Sequence, residues 1–220
     1  MYPISVPLAH IYNLSLNNGK FPAKFKLSRT VPIFKSGSNL NVDNYRPISL
    51  VCTLSKLLEK MVATNLVNYL QINKILHPHQ FGFQRNLSTE HNLIHVTNYI
   101  SQAINHGKYC VGVFFDLKKA FDVVDHNILL TKLNKLGIKN NALLWFESYL
   151  SKRKQMVDIS GHFSSERDIL CSVLQGSTLG PILFLCFIND FPQCTNMLSY
   201  LFADDTTCLD SDKCIKNLIQ

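Results

Sequence analysis

Asp204 and Asp205 stand side by side in the stretch Phe-Ala-Asp-Asp at 202–205, flanked by apolar, strand-like residues. A lone Asp116 closes a second apolar stretch far upstream. Carboxylates at a strand end and at a strand-to-strand turn can converge across neighbouring strands, whatever their separation in the chain. Three acids brought together repel one another unless a divalent ion sits between them. A pair of oxygen-ligated metal ions is the usual solution, and its usual chemistry is phosphoryl transfer. Nucleotide polymerisation heads the reactions that fit.

The elements that must carry these acids follow from periodicity. Residues 109–115 (Tyr-Cys-Val-Gly-Val-Phe-Phe) form a nearly unbroken apolar strand, the pattern of a central strand covered on both faces. Leu198–Phe202 is another strand, followed by a turn at the two Asp residues and a short returning strand. Upstream, residues 4–18 fit a short helix ended by Asn18-Gly19, and residues 29–35 a strand broken by Ser36-Gly37-Ser38-Asn39. Leu54, Leu57, Leu58, Met61, Val62, Leu66, Tyr69 and Leu70 recur at helical spacing, so 53–71 is expected to be a helix. A second helix starts at Ser88 or Thr89, either able to cap it, and stops at Gly107. After Asp116 the pattern turns helical through Leu129, Leu130, Leu133 and Leu136 to Gly137, and another helix covers 140–150. Residues 154–174 suggest a hairpin turning near Gly161. Gln175 to Pro181 is a loop, with Pro181 suited to the first turn of the helix that follows. Helices interleaved with strands, joined by hairpins and crossovers, give an α+β fold with an antiparallel-rich sheet.

Composition narrows the class. The chain has 220 residues, 46% hydrophobic and 17% charged, which describes a globular protein. Its formal charge is +7. Residues 1–42 hold Lys20, Lys24, Lys26, Arg29 and Lys35 and no acid, and Lys152-Arg153-Lys154 form a second basic cluster. Such clusters favour a polyanionic partner. Seven cysteines without a C-x-x-C pair argue against a disulfide framework or zinc knuckle and for a reduced, intracellular chain. The longest apolar run, Ile182 to Ile188, is too short to cross a bilayer, and the N-terminus lacks the pattern of a signal peptide.

Six blocks resemble the reverse transcriptase domain of LINE-type (non-LTR) retrotransposons, the jockey-like group in particular. They are Val-Pro-Ile-Phe-Lys-Ser-Gly at 31–37, Asn-Tyr-Arg-Pro-Ile-Ser-Leu at 44–50 and Gln-Phe-Gly-Phe at 80–83. Phe-Asp-Leu-Lys-Lys-Ala-Phe-Asp at 115–122, Gln-Gly-Ser-Thr-Leu-Gly-Pro at 175–181 and Phe-Ala-Asp-Asp at 202–205 complete the set. Their order and spacing match, over nearly the whole chain from about residue 20. The resemblance implies a right-hand polymerase. An N-terminal extension would cover 1–19, a fingers-like region 20–108, and a palm 109–220 with an antiparallel-rich sheet packed on helices. The family continues past the paired acids with more palm, a primer-gripping hairpin and a thumb. The expectation here is therefore a truncated member with an incomplete palm, no thumb and no upstream endonuclease.

By the same resemblance, Asp116, Asp204 and Asp205 are the catalytic, metal-holding residues, with the Leu117 carbonyl as a further ligand of two Mg2+ ions. One ion would activate the primer 3′-hydroxyl, the other neutralise the incoming triphosphate. Arg46 and Lys35 are implied at the deoxynucleoside triphosphate. Phe121 is implied beneath its sugar, where a ring collides with a 2′-hydroxyl, although Ala120-Phe121 also begins an expected amphipathic helix that could simply need packing. Gln175, Gly176 and Ser177 are implied in a loop that tracks the template and nascent pair, Gln175 also reaching the nucleotide. Phe81 and Phe83 fit either a template platform or the core. His91 and His95 lie four apart on the expected helix without a Glu between them and read as an ordinary surface or partly buried pair, and Asp122 and Asp125 as favourable charge in the first turn of a helix.

Three readings of function follow. The first is an RNA-directed DNA polymerase domain acting on an RNA template, a DNA primer and deoxynucleoside triphosphates. The second is a catalytically dead nucleic-acid-binding remnant. The third is another two-metal enzyme on a palm-like fold, such as a nucleotide cyclase; the loop at 175–177 and Phe121 argue against it. No membrane partner is expected. The resemblance implies a nuclear setting, although the chain carries no targeting signal, and its oligomeric state is not legible.

Overall fold

The computed structural model describes residues 4–218. The first three residues of the expected N-terminal extension, and 219–220 of the expected palm, lie outside them. The chain divides into two compact units. One takes the residues up to Tyr69 together with Phe121–Phe187, the other Leu70–Ala120 and the residues from Ile188 onward. Each unit draws on both sides of the 108/109 divide.

The first unit holds a five-stranded sheet. Strand β1 (Leu27–Phe34) pairs antiparallel with β2 (Tyr45–Leu50) and parallel with β4 (Arg153–Ile159), which also pairs with β5 (His162–Phe163) and β6 (Arg167–Ile169). Pro32 and Pro47 face one another in the β1–β2 register. Neither has an N–H to donate, and both are tolerated because β2 is an edge and β1 leaves β4 after Thr30. The hairpin expected around Gly161 is present, with positive φ at Ser160 and Gly161 as a tight two-residue turn requires.

Helix α1 (Ser5–Asn17) lies against α5 (Asn140–Leu150), where Trp145 Nε1 donates to Ser15 Oγ at 3.0 Å. Phe21 sets its ring edge-on to Trp145 and Tyr149. The Arg153 guanidinium is buried over Tyr149 and Phe21 and donates to the Tyr149 carbonyl. Helix α2 (Thr53–Ile72) has the expected bounds to within a residue. Residues 117–125 differ from expectation. They form turns, and α4 begins only at His126 and runs to Lys135. Asp125 sits one position before that helix, its carboxylate accepting from the N–H groups of Asn127 and Ile128. It is a cap instead of a first-turn charge, and Asp122 stands in the turn ahead of it. Helix α6 (Gly180–Ile188) is apolar all round and buried through Leu183, Phe184, Leu185 and Cys186.

The second unit is a three-stranded antiparallel sheet in the order β3-β8-β7, with β3 at Tyr109–Phe115, β7 at Leu198–Phe202 and β8 at Asp205–Asp212. Helix α3 (Thr89–Asn105) packs on this sheet around a core of Phe81, Tyr200 and Leu209. Here one expectation fails. Strand β3 is an edge, not a central strand, and Phe114 is 74% exposed. An unbroken apolar run cannot distinguish a covered strand from an edge that leaves one side open. The seven cysteines are all free, and no helix among the described residues is long and apolar enough to cross a membrane.

Candidate active site

The sheet of the second unit gathers the three candidate acids at one end. Strand β8 runs antiparallel to β3, with Phe115 opposite Thr206. The next residues past that pair are Asp116 and Asp205. On its other side Asp205 pairs with Phe202, so the β7–β8 hairpin closes over just two residues, Ala203 and Asp204. Ala203 takes φ of 60°, whereas Asp204 does not. A two-residue turn with a positive φ only at its first position matches the right-handed twist of its strands, although it normally selects glycine there. Asp116 and Asp205 therefore stand at one strand end beside the turn that carries Asp204.

The donor set suits a hard divalent cation: oxygen ligands only, on exposed or half-buried positions. Among the described residues neither Asp116 nor Asp205 has a salt-bridge partner competing for it. No three His, Cys, Asp or Glu side chains among those residues converge closely enough to hold a metal ion. The backbone thus brings the acids to one strand end, and the side chains stop short of a common centre. Leu117 follows Asp116 directly and is exposed.

The other candidate residues belong to the first unit. Lys35 and Arg46 stand at one end of the β1–β2 hairpin, which closes through a 2.8 Å bond from Lys35 N to the Asn44 carbonyl. Arg46 is opposite Ile33 and exposed, and Lys35 continues the Ile33 face. Phe121 stacks on the buried ring of Phe184 at 4.7 Å, and its carbonyl accepts from Val173 N. Packing is therefore part of its role.

The loop from Gln175 to Pro181 is tied down at both ends. The Gln175 carbonyl accepts from Ser49 N at 2.7 Å, joining the loop to β2. Gly176 has φ of +108°, and a Cβ there would meet the Ser49 carbonyl oxygen at 2.6 Å, so only glycine fits. Ser177 is turned inward. Its hydroxyl donates to the Leu174 carbonyl and accepts from Gly180 N, which makes it a bracket for the start of α6.

Glu59 escaped the sequence reading. It is 0% exposed, its carboxyl oxygens accepting from Ser55 Oγ at 3.0 Å and Thr178 N at 2.9 Å. It anchors the middle of the loop to α2. The one signal was an acid four positions after Ser55 on the helix face that carries Leu58 and Val62. Burial, and after it the Glu59 carboxyl, push the neighbouring Tyr149 phenol well up.

The discounted histidines are indeed apart in role. His91 pairs with the hydroxyl of Ser88, which precedes α3, and His95 joins an aromatic group with His79, Phe81 and Tyr200. Burial holds His77 and His79 below the usual histidine range, each further lowered by a neighbouring imidazole. Phe81 is core, whereas Phe83 is exposed.

The family described as Reverse transcriptase (RNA-dependent DNA polymerase) matches residues 33–219. A probable RNA-directed DNA polymerase from transposon BS of Drosophila melanogaster is 36% identical over 94% of this chain and 24% of its own length. The RNA-directed DNA polymerase from mobile element jockey of the same organism is 35% identical over the same shares. This chain thus spans about a quarter of the curated relatives it matches. Among solved structures, telomerase from Candida albicans superposes with a TM-score of 0.64 at 15% identity, covering 98% of this chain and 43% of that one. Apo telomerase from Candida tropicalis, truncated from its C-terminal domain, gives 0.63 at 13% identity, covering 98% and 50%. These likenesses show the fold, and it is that of a reverse transcriptase. Work in this family depends on divalent metal ions. Together with the six ordered blocks and the acids gathered at one strand end, the match over most of its length means that this chain belongs to the reverse transcriptase family.

Proposed function

We propose that this chain is an RNA-directed DNA polymerase domain of a mobile element, extending a DNA primer on an RNA template with deoxynucleoside triphosphates. What supports the reading is the β3–β8 register, which ends with Phe115 opposite Thr206 and leaves Asp116 and Asp205 as the next residues at that strand end, beside the two-residue turn bearing Asp204. Asp116, Asp204 and Asp205, with the Leu117 carbonyl, would hold two Mg2+ ions, whose chemistry there would be to make the attacking hydroxyl more acidic and to offset charge on the triphosphate. Side-chain rotation at that strand end would bring the carboxylates toward a common centre.

Arg46 offers a planar fork to phosphate oxygens, and Lys35 adds a point charge on the same hairpin face. Phe121, steadied by Phe184, presents a ring that excludes a ribonucleotide 2′-hydroxyl. Gln175 and Gly176 bring a backbone held against β2 close to the template and nascent pair. Ser177 contributes by shaping that loop. Action at chromosomal DNA implies a nuclear setting.

The second reading is nucleic-acid binding without catalysis. What favours it is that no three acidic side chains converge among the described residues. One assay separates the two: extension of a DNA primer on an RNA template with Mg2+, comparing the chain with its Asp204→Asn variant. Extension that the substitution removes supports polymerisation, and template binding with no extension by either protein supports the binding-only reading.

A further inference from the structure

We propose that the side-chain amide of Gln80 is a positioning residue for the metal site, fixing the turn that carries Asp204. The inference rests on the metal-site reading above and deepens it. Gln80 is 2% exposed, and its Oε1 accepts two main-chain N–H groups, from Gly82 at 2.8 Å and from Ala203 at 3.0 Å. Ala203 is the first residue of the two-residue turn, where a hairpin ladder supplies no partner for the N–H. The glutamine provides that partner from a segment 123 positions away.

The side chain is itself held firmly. Its main chain lies against β7, with Leu201 N donating to the His79 carbonyl at 2.9 Å and Phe81 N donating to the Leu201 carbonyl at 2.8 Å. Gln84 donates its side-chain amide to the Gln80 carbonyl. Phe81, the next residue, is buried with Tyr200 and Leu209. Gln80 is therefore braced on three sides and delivers its oxygen to one place.

Gly82 completes the arrangement. A Cβ there would sit 2.2 Å from Ala203 N and 2.9 Å from both Ala203 Cα and the Phe202 carbonyl carbon, all main-chain atoms that cannot swing aside. The approach of this segment to the turn is possible only for glycine. Ala203, meanwhile, is held at a φ that a residue with a Cβ does not choose on its own. A turn in that state relaxes when its restraint is removed, and relaxation moves Asp204. An amide suits the task better than a carboxylate, because it accepts both hydrogen bonds without adding negative charge beside Asp204 and Asp205.

The test uses the whole chain and two readouts. Amide hydrogen exchange by NMR compares the wild type with Gln80→Met, which keeps the length and loses the acceptor, and with Gln80→Glu, which keeps an acceptor. In Gln80→Met the Ala203 amide should exchange about five- to tenfold faster relative to Leu209, the worth of one such hydrogen bond. Gln80→Glu should restore its protection. Mn2+ titration should show weaker binding in Gln80→Met by a similar factor. Unchanged Ala203 exchange in Gln80→Met, or Mn2+ affinity equal to the wild type's, overturns the proposal. Should Gln80→Met not fold, the wild type alone decides: scalar couplings across the hydrogen bonds from Ala203 N and Gly82 N to the Gln80 side-chain carbonyl carbon must be present, and their absence refutes it. A wild type that binds no Mn2+ defeats the metal-site reading, while the exchange data still judge the clamp.

Discussion

Replacing Glu59 by Ala tests how the loop at 175–181 is held. The carboxyl group has no exposure and accepts two hydrogen bonds, one from Ser55 Oγ and one from Thr178 N. Truncation leaves the Thr178 N–H without a partner inside the fold and opens a cavity beside Leu58, itself fully buried. An orphaned buried donor costs about 1–3 kcal/mol, and the void adds to this, so the net loss should be about 2–4 kcal/mol. With a urea dependence of about 2 kcal/mol per molar, the unfolding midpoint should fall by roughly 1–2 M. Ser55→Ala removes a single bond and leaves Glu59 on Thr178, so it should cost only about 1 kcal/mol. Urea unfolding of both variants gives these numbers, and hydrogen exchange at Thr178 and Gly180 shows whether the loop loosens first. The reasoning is wrong if Glu59→Ala is no worse than Ser55→Ala, or if those amides keep their protection while stability falls elsewhere.

Three further outcomes follow from the same geometry. Phe121→Ala should raise ribonucleotide incorporation in primer extension and also destabilise the chain by about 1–2 kcal/mol, since the half-buried ring stacks on Phe184; unchanged sugar selectivity would leave packing as its only role. Stability should fall on acidification below about pH 6.5, the unfolded histidine value. Burial holds His77 and His79 below that value, His77 beside His79 and His79 beside His95 and Tyr200, so the unfolded chain takes up their protons first, and the stabilisation present above it disappears toward their folded pKa. Thermal unfolding at several pH values checks this, and His79→Phe should flatten the slope. Iodoacetamide should label Cys52, Cys171, Cys194 and Cys214 quickly and leave Cys186 untouched, because that thiol is buried and pushed up to about 12; mass spectrometry reads the outcome.

Much of the fold was legible because its signals are local. Leu54 to Leu70 repeat at helical spacing, and α2 occupies that span. The paired acids between two apolar runs predicted a hairpin, and Phe202 and Asp205 close it. Strand β2 was missed because Pro47 breaks the usual strand pattern, and only the pairing with β1 makes it a strand. The edge position of β3 depends on which strands lie beside it, which no run of apolar residues encodes. Residues 117–125 carry enough helical periodicity to mislead, yet the helix waits for the Asp125 cap. At the site, the candidate acids were visible as types and their shared strand end follows from the register. Gln80 and Glu59 were not visible, since each acts through a single buried contact to a main-chain N–H far away in the chain. Such partners have no sequence pattern.

The most direct test of the account is the binding of Mn2+, as a spectroscopic stand-in for Mg2+, in the presence of a primed RNA template and a deoxynucleoside triphosphate. Electron paramagnetic resonance titration should find a pair of specifically bound ions on the wild-type chain and their loss in Asp116→Asn, with template binding retained. Equal Mn2+ binding by wild type and Asp116→Asn would contradict a metal centre built on these carboxylates.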